Sequence, residues 1–237
     1  MRTAAGQPCT VSVAVDVATL CILDGDLRVL MARRAATPYQ GFWTLPGERK
    51  RPGVALDAEA RELLERATAG HVRYIEQLKT FDRPEQRDAG GVISVPGRDP
   101  RGDVVSVAYL GLVEPVDLRP EAAGEPTWHP IRSLPEDIGF DHRTIIDYAV
   151  RRLRGKIRYS SVAFALLHEE FTLPDLHRLY EQILGRTLHR GNFQRDVLRS
   201  GVVEPIGERH GGRGRPAHVY RFRNRSFGLL EEPEGFE

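Results

Sequence analysis

The sequence predicts an α+β chain in two units, a mixed-sheet domain followed by a small helical domain closed by a hairpin. Three observations predict it. The charge divides: residues 1–150 carry 18 Lys and Arg against 22 Asp and Glu, a net of −4, whereas 151–237 carry 16 against 11, a net of +5. The first part holds long β-branched runs and one clear helix pattern. The second holds several short helical patterns and then two strand-like runs around a glycine-arginine turn. At 237 residues, with 41% hydrophobic and 28% charged residues, the chain has the size and composition of a soluble globular protein of one large or two modest domains.

The elements follow in order. The apolar run 11–23 is interrupted by Asp16 and lacks a basic leader or small-residue cleavage site, so it reads as a strand. It is also too short and too polar to cross a bilayer. Asp24-Gly25-Asp26 forms a turn into a second strand at 27–32. Residues 57–69 form a helix with Ala60, Leu63, Leu64 and Ala67 on one face and Arg61, Glu62, Glu65 and Arg66 on the other. The Gly-, Pro- and Asp-rich stretch 86–103 reads as a loop, and 104–113 as a strong strand.

From Asp141 the character changes. Asp141 can cap a helix over 141–154 that ends on Arg151, Arg152 and Arg154. A boundary near Gly155 divides the chain into 1–154 and 155–237, with 141–154 as the linker helix. Short helices are expected at 161–169 and 174–184, the second capped by Thr172, led by Pro174 and stopped by Gly185. A further helix at 192–199 precedes strands at 202–206 and 219–222, which flank the turn 211–216. Helix, helix, short turn, helix and hairpin is the order of a winged helix-turn-helix. Cys9 and Cys21 are too few for a disulfide framework or a zinc cluster; they could in principle pair, but a reducing cytoplasm fits best.

Two stretches carry chemistry. In GERKRPGVALDAEARELLERATAG (47–70), carboxylates and arginines alternate along a loop and helix directly after Phe42-Trp43-Thr44-Leu45-Pro46-Gly47 and the strand end Arg33-Arg34. In the second stretch, 189–201, Phe193, Val197 and Leu198 can face a core, leaving Arg190, Asn192, Arg195 and Arg199 for a groove. Arginine pairs bidentately with guanine and asparagine with adenine, a palette suited to major-groove reading. Thr172 at the positioning helix and Arg213 and Arg215 on the wing complete the candidate DNA-binding set, the last two suited to phosphates or a narrow minor groove. Against this stands a merely solvated basic helix and loop. His189 reads as structural.

The first stretch resembles the Nudix hydrolase signature: Gly, five residues, Glu, seven residues, Arg-Glu, a large apolar residue, any residue, Glu-Glu, any residue, Gly. That spacing gathers carboxylates around a divalent metal, which neutralises a diphosphate and activates water. Here Gly47, Arg61, Glu62 and Glu65 match, but Gly53 stands for the first glutamate, Arg66 for the last and Thr68 for the closing glycine. At an effective dielectric near 20 a unit-charge pair at 4 Å is worth roughly 4 kcal/mol, so these changes weaken metal binding by several kcal/mol. Arg66 is expected to pair with Glu62. No catalytic residue and no metal site are therefore assigned.

Both stretches together, with Tyr74-Ile-Glu-Gln-Leu-Lys-Thr-Phe81 and Arg98-Asp-Pro-Arg-Gly-Asp-Val-Val-Ser-Val-Ala-Tyr109, resemble the Nudix-related transcriptional regulators of NAD metabolism over nearly the whole chain. The resemblance implies a cytoplasmic homodimeric repressor of NAD synthesis or salvage genes. It would bind palindromic operator DNA and require no cofactor. ADP-ribose or NAD would act as effector in the front pocket, with Arg33, Arg34, Trp43, Arg61, Glu62 and Glu65 as its candidate contacts. Trp43 serves a core as readily as a ligand. The rival readings are an active ADP-ribose or NAD pyrophosphatase with an accessory nucleic-acid-binding domain, and a DNA-binding module with a purely structural front.

Overall fold

The computed structural model describes residues 11–82, 98–114, 126–157, 160–209 and 216–223, and the backbone alone at 86–87 and 93–95. The sheet of the front domain begins with β1 (Ser12–Leu23) and β2 (Asp26–Arg33), an antiparallel hairpin turned by Asp24 and Gly25. β3 (Trp43–Thr44) and β4 (Gly47–Arg49) follow, then α1 (Leu56–Ala67) and β5 (Val72–Phe81). Two short strands, β6 (Gln86–Arg87) and β7 (Ile93–Val95), pair with each other inside the stretch expected to be loop throughout. β8 (Val104–Val113) spans the residues that its β-branched run marks. β9 (Thr127–Pro130) pairs with β2 and leads through a 3₁₀ turn to the long helix α2 (His142–Lys156).

The strand order is β3-β2-β1-β8-β5, with β4 also on β1. β1 and β8 run parallel and every other pair is antiparallel, which makes the sheet mixed. Both faces are covered, so β1 and β8 read as continuous apolar runs rather than alternating ones. Val15, Val17, Cys21, Val107 and Tyr109 meet Ala60, Leu63 and Leu64 of α1 on one side. Ala18, Leu20, Ala108, Leu110 and Leu112 join Ile145, Ile146, Ala149 and Leu153 of α2 on the other. Cys21 is a free, buried thiol.

The second core continues from α2 into the back domain. Helix α2 runs through Gly155 without a break, and its buried residues share a cluster with Leu176, Leu179 and Ile183. The helix expected at 161–169 is instead a 3₁₀ segment, Ser161–Leu166. All six of its residues are buried, so it has no solvent face on which an amphipathic helix could form. Then come β10 (Phe171–Thr172), α3 (Leu173–Leu184), α4 (Arg190–Arg199), β11 (Val203–Arg209) and β12 (Ala217–Phe222). Thr172 caps α3 in a reciprocal box with Asp175, and Gly185 ends the helix at φ 69°. The three strands form a sheet in the order β10-β12-β11. Helices followed by a β11–β12 hairpin make the winged helix-turn-helix expected from the sequence.

Candidate functional site

A cavity of about 320 Å³ opens beside β1, β4 and the start of α2, within the ~300–1,000 Å³ span of small-molecule clefts. Its floor is a buried charged cluster. Asp16, 4% exposed, points from β1 into this cleft and accepts from Arg98 and from the Ser106 hydroxyl. Gly47 must be glycine here, because a Cβ would lie 2.1 Å from Asp16 Oδ1. His142, the first residue of α2, places Nε2 3.4 Å from Asp16 Oδ1. Its Nδ1 accepts from the Leu45 amide at 2.9 Å. An acceptor at Nδ1 leaves the ring proton on Nε2, facing the carboxylate. Asp141, one residue earlier, sits 3.3 Å from Arg98 Nε.

The two carboxyls respond oppositely. Burial alone would raise Asp16, but His142, Arg98 and Ser106 hold it well below the usual carboxylate range. Burial raises Asp141, and Arg98 and His142 only partly offset it. One arginine therefore answers two buried acids and satisfies Asp16 first. Asp141 stands at the N-cap of α2 without the side-chain cap bond that the sequence suggests, because its carboxyl is turned to Arg98 instead.

Arginines line the rim. Arg34 is held by the Pro38 carbonyl at 2.7 Å and lies over the Phe140 ring, 5.0 Å from its centroid. Arg101 grips Asp99 through Nη2 at 2.6 Å and Nε at 3.0 Å, with Arg49 3.6 Å from the same carboxylate. Burial and then the Arg101 charge lower the proton affinity of Arg34, with Asp99 and Asp16 opposing them. Such a rim, with a ring beside it, suits a phosphate-bearing ligand with an aromatic base.

The loop-helix beside the cleft departs from a metal site. Arg51 Nη2 donates to Glu62 at 2.5 Å, and its Nε donates to Glu59 at 3.2 Å. Glu59 is fully buried and also accepts from the Arg51 amide. Arg66 pairs with Glu48 at 3.0 Å rather than with Glu62, since Glu62 is already taken by Arg51. Glu65 faces Arg61 at 4.0 Å. Among the described residues no group of three or more His, Cys, Asp or Glu is arranged to hold a metal ion, and these carboxylates, each already facing a guanidinium, do not fit one.

Of the six candidate effector contacts, the structure brings Arg34 to the cavity lining. Arg33 donates to the Gly41 carbonyl and to Asp137 and lies over the Trp43 ring. Trp43 in turn meets His129 edge-on at 4.2 Å. Arg61, Glu62 and Glu65 lie on the exposed face of α1, outside the lining. Asp16, Arg49, Arg98, Arg101 and His142 also line the cavity, and no local sequence pattern marks them as site residues. The exception is Asp16, a lone acid inside a twelve-residue apolar strand.

In the back domain, Arg190, Asn192, Arg195 and Arg199 are all exposed on α4, whereas Phe193 and Val197 are buried. Leu198, expected in the core, is 48% exposed: it follows Val197 by one residue and so turns about 100° away from it. His189 accepts from the Asn192 amide as the N-cap, a structural role. Thr172 is half-buried in its capping box. Arg213 and Arg215 lie outside the described residues.

Helix α2 ties the cleft to this domain. Lys156 and Arg152 bind Glu76 of β5 at 2.6 and 3.1 Å, and Arg154 donates to the Ile183 carbonyl of α3 at 2.7 Å. No helix among the described residues is long and apolar enough to cross a membrane.

The family model described as NUDIX domain matches residues 13–149, and that described as NrtR DNA-binding winged helix domain matches 163–222. The chain is 30% identical over 214 residues to the ADPR responsive transcriptional repressor NtrR of Acinetobacter baylyi, covering 88% of this chain and 80% of that protein. It is 33% identical over 129 residues to an ADP-ribose pyrophosphatase of Methanocaldococcus jannaschii, covering 54% of this chain and 69% of that protein. The crystal structure of Shewanella oneidensis NrtR complexed with a 27mer DNA superposes with a TM-score of 0.74 at 30% identity, over 89% of this chain and 93% of that one.

Proposed function

The chain belongs to the NUDIX family, in the branch that carries an NrtR-type DNA-binding winged helix domain, and from that premise we propose that it is a transcriptional repressor controlled by ADP-ribose. One observation carries the reading: the arginine-lined cleft is lined by His142 and by Arg98, which faces Asp141, where the helix leading to the winged domain begins. A ligand that moves Arg98 or His142 acts on that helix directly. Arg34, Arg49 and Arg101 receive the diphosphate, and Phe140 lies beside the base. NAD, which shares the ADP-ribose moiety, is the second effector candidate.

In this reading 1–154 senses the nucleotide and 155–237 binds DNA. Arg190, Asn192, Arg195 and Arg199 face the major groove, Thr172 supports the positioning helix, and Arg213 and Arg215 reach the backbone from the wing. The protein acts in the cytoplasm as a homodimer on palindromic operators of NAD synthesis or salvage genes. The effector must bind the DNA-competent and incompetent arrangements unequally, and operator DNA then changes effector affinity by the same factor.

Hydrolysis is not part of this function. The carboxylates a metal would need are held by Arg51 and Arg66, and a sensor needs only to bind. The deciding experiment is fluorescence anisotropy of promoter fragments from NAD genes, titrated with protein in the presence and absence of ADP-ribose or NAD. Sequence-selective binding that shifts with one nucleotide supports the repressor. Selective binding indifferent to both points to a structural front domain. AMP release from ADP-ribose with magnesium or manganese would revive the hydrolase.

A further inference from the structure

The loop-helix beside the cleft carries Glu48, Glu59, Glu62 and Glu65, and each of these four has a guanidinium partner. Arg51 spans Glu59 and Glu62 and lies 3.7 Å from Glu48, while Arg66 holds Glu48 from the other side. Arg61 faces Glu65. The contacts of Arg51 and Arg66 converge from outside the helix and from its last turn, where a divalent cation would have to gather the same oxygens. A planar fork can bridge two carboxylates as a metal does, but it cannot exchange water or leave a coordination position open.

The backbone agrees with the side chains. Gly53, at the position of the missing first glutamate, has φ +77°. A glutamate there would be strained in the left-handed region, so this loop is shaped around glycine. The cation requirement on the ligand side is also met from within the chain, since Arg34, Arg49, Arg98 and Arg101 all line the cleft.

We propose that Arg51 and Arg66 take the place of a divalent cation at Glu48, Glu59 and Glu62, so that the cleft binds its nucleotide diphosphate without metal. The inference rests on the nucleotide-sensing reading for the ligand, but its metal half stands on its own. It concerns which cation the acids hold, and not merely that turnover is lost.

The test uses the full-length chain in two measurements. In the first, free Mn²⁺ is followed by electron paramagnetic resonance as protein is added. The native chain is expected to leave the signal unattenuated, whereas Arg51→Gln with Arg66→Glu gains Mn²⁺ affinity by at least about tenfold, as expected from removing two cations and adding an acid. Because Arg51→Gln leaves the buried Glu59 short of a partner, Arg66→Glu alone, at an exposed position, serves as the variant whose fold is secure, and it should gain part of the effect. If the native chain attenuates the Mn²⁺ signal as strongly as the variants, or if folded variants gain nothing, the proposal is overturned.

The second measurement is calorimetric titration with ADP-ribose in EDTA and again in excess Mn²⁺. Equal affinity within about twofold is expected for the native chain, a difference too small to represent a lost cation bridge. Binding that vanishes in EDTA overturns the proposal. If ADP-ribose binds in neither buffer, the nucleotide reading fails, and the Mn²⁺ measurement still decides which cation the acids hold.

Discussion

The Leu45 amide donates to Nδ1 of His142 at 2.9 Å, joining the cleft wall to the first residue of the interdomain helix. The other ring nitrogen faces Asp16, so a single imidazole bridges β1, the segment after β3 and α2.

His142→Phe keeps the ring volume and removes both polar contacts. It should destabilise the fold by about 1–3 kcal/mol, the cost of leaving a buried donor unpaired, measured by urea unfolding. DNA affinity without nucleotide should persist while the shift caused by ADP-ribose shrinks. A variant that responds to nucleotide as the native chain does would remove this tether from the signalling route.

Asp16 and Asp141 share Arg98 but predict opposite pH trends. Asp16 is held below the usual carboxylate range, so its ionised form stabilises the fold above that range and the contribution is lost only in strong acid. Asp16→Asn should therefore cost about 3–5 kcal/mol at neutral pH, the cost of breaking a buried pair, with the gap closing as pH falls. Asp141 is raised, so its contribution is present below the carboxylate range and lost as pH climbs through its raised value. Asp141→Asn should gain on the native chain over that climb. Urea midpoints from acid to neutral pH check both, and parallel trends in the two variants would contradict the charge balance described for Arg98.

Much of this architecture was legible in the sequence. β8, α3 with its Thr172 box and Gly185 stop, and the basic face of α4 all follow from local rules of residue type and spacing. The site was legible only where its residues sit in one stretch. Arg34 was found beside a strand end, but the floor brings together positions 16, 98, 106 and 142 through strand pairing and a loop. Local periodicity carries no trace of such an encounter. Arg51 is hidden for a related reason: it replaces none of the glutamates of the signature, so the spacing does not mark it.

Arg34→Gln and Arg101→Gln each remove one rim cation. Charge-assisted bonds to phosphate are the strong ones, and the loss of one should weaken ADP-ribose binding about 10- to 100-fold. Asp99 would keep Arg49 as a partner in the second variant. Calorimetry with ADP-ribose measures the loss, and anisotropy without nucleotide should show DNA binding retained. Native affinity in both variants would move the ligand to another surface.

The proposed DNA contacts of α4 need not all act alike, and salt separates base reading from phosphate contact. Arg195 is exposed in the middle of the helix and bonds the neighbouring Asp196 at 3.3 Å, so its removal should leave the core intact. Arg195→Ala should cost about 1–3 kcal/mol on the specific duplex and relax discrimination at one base pair. Arg199 is exposed in the last turn of α4, and a contact there with the phosphates at the groove edge predicts a different signature. Arg199→Gln should weaken specific and scrambled duplexes alike and lower the slope of log affinity against log salt by about 1. Anisotropy at several salt concentrations, with both duplexes, distinguishes the two. Were Arg195→Ala to weaken both duplexes equally and reduce the salt slope, Arg195 would be a phosphate contact, and base reading would pass to Arg190 and Asn192.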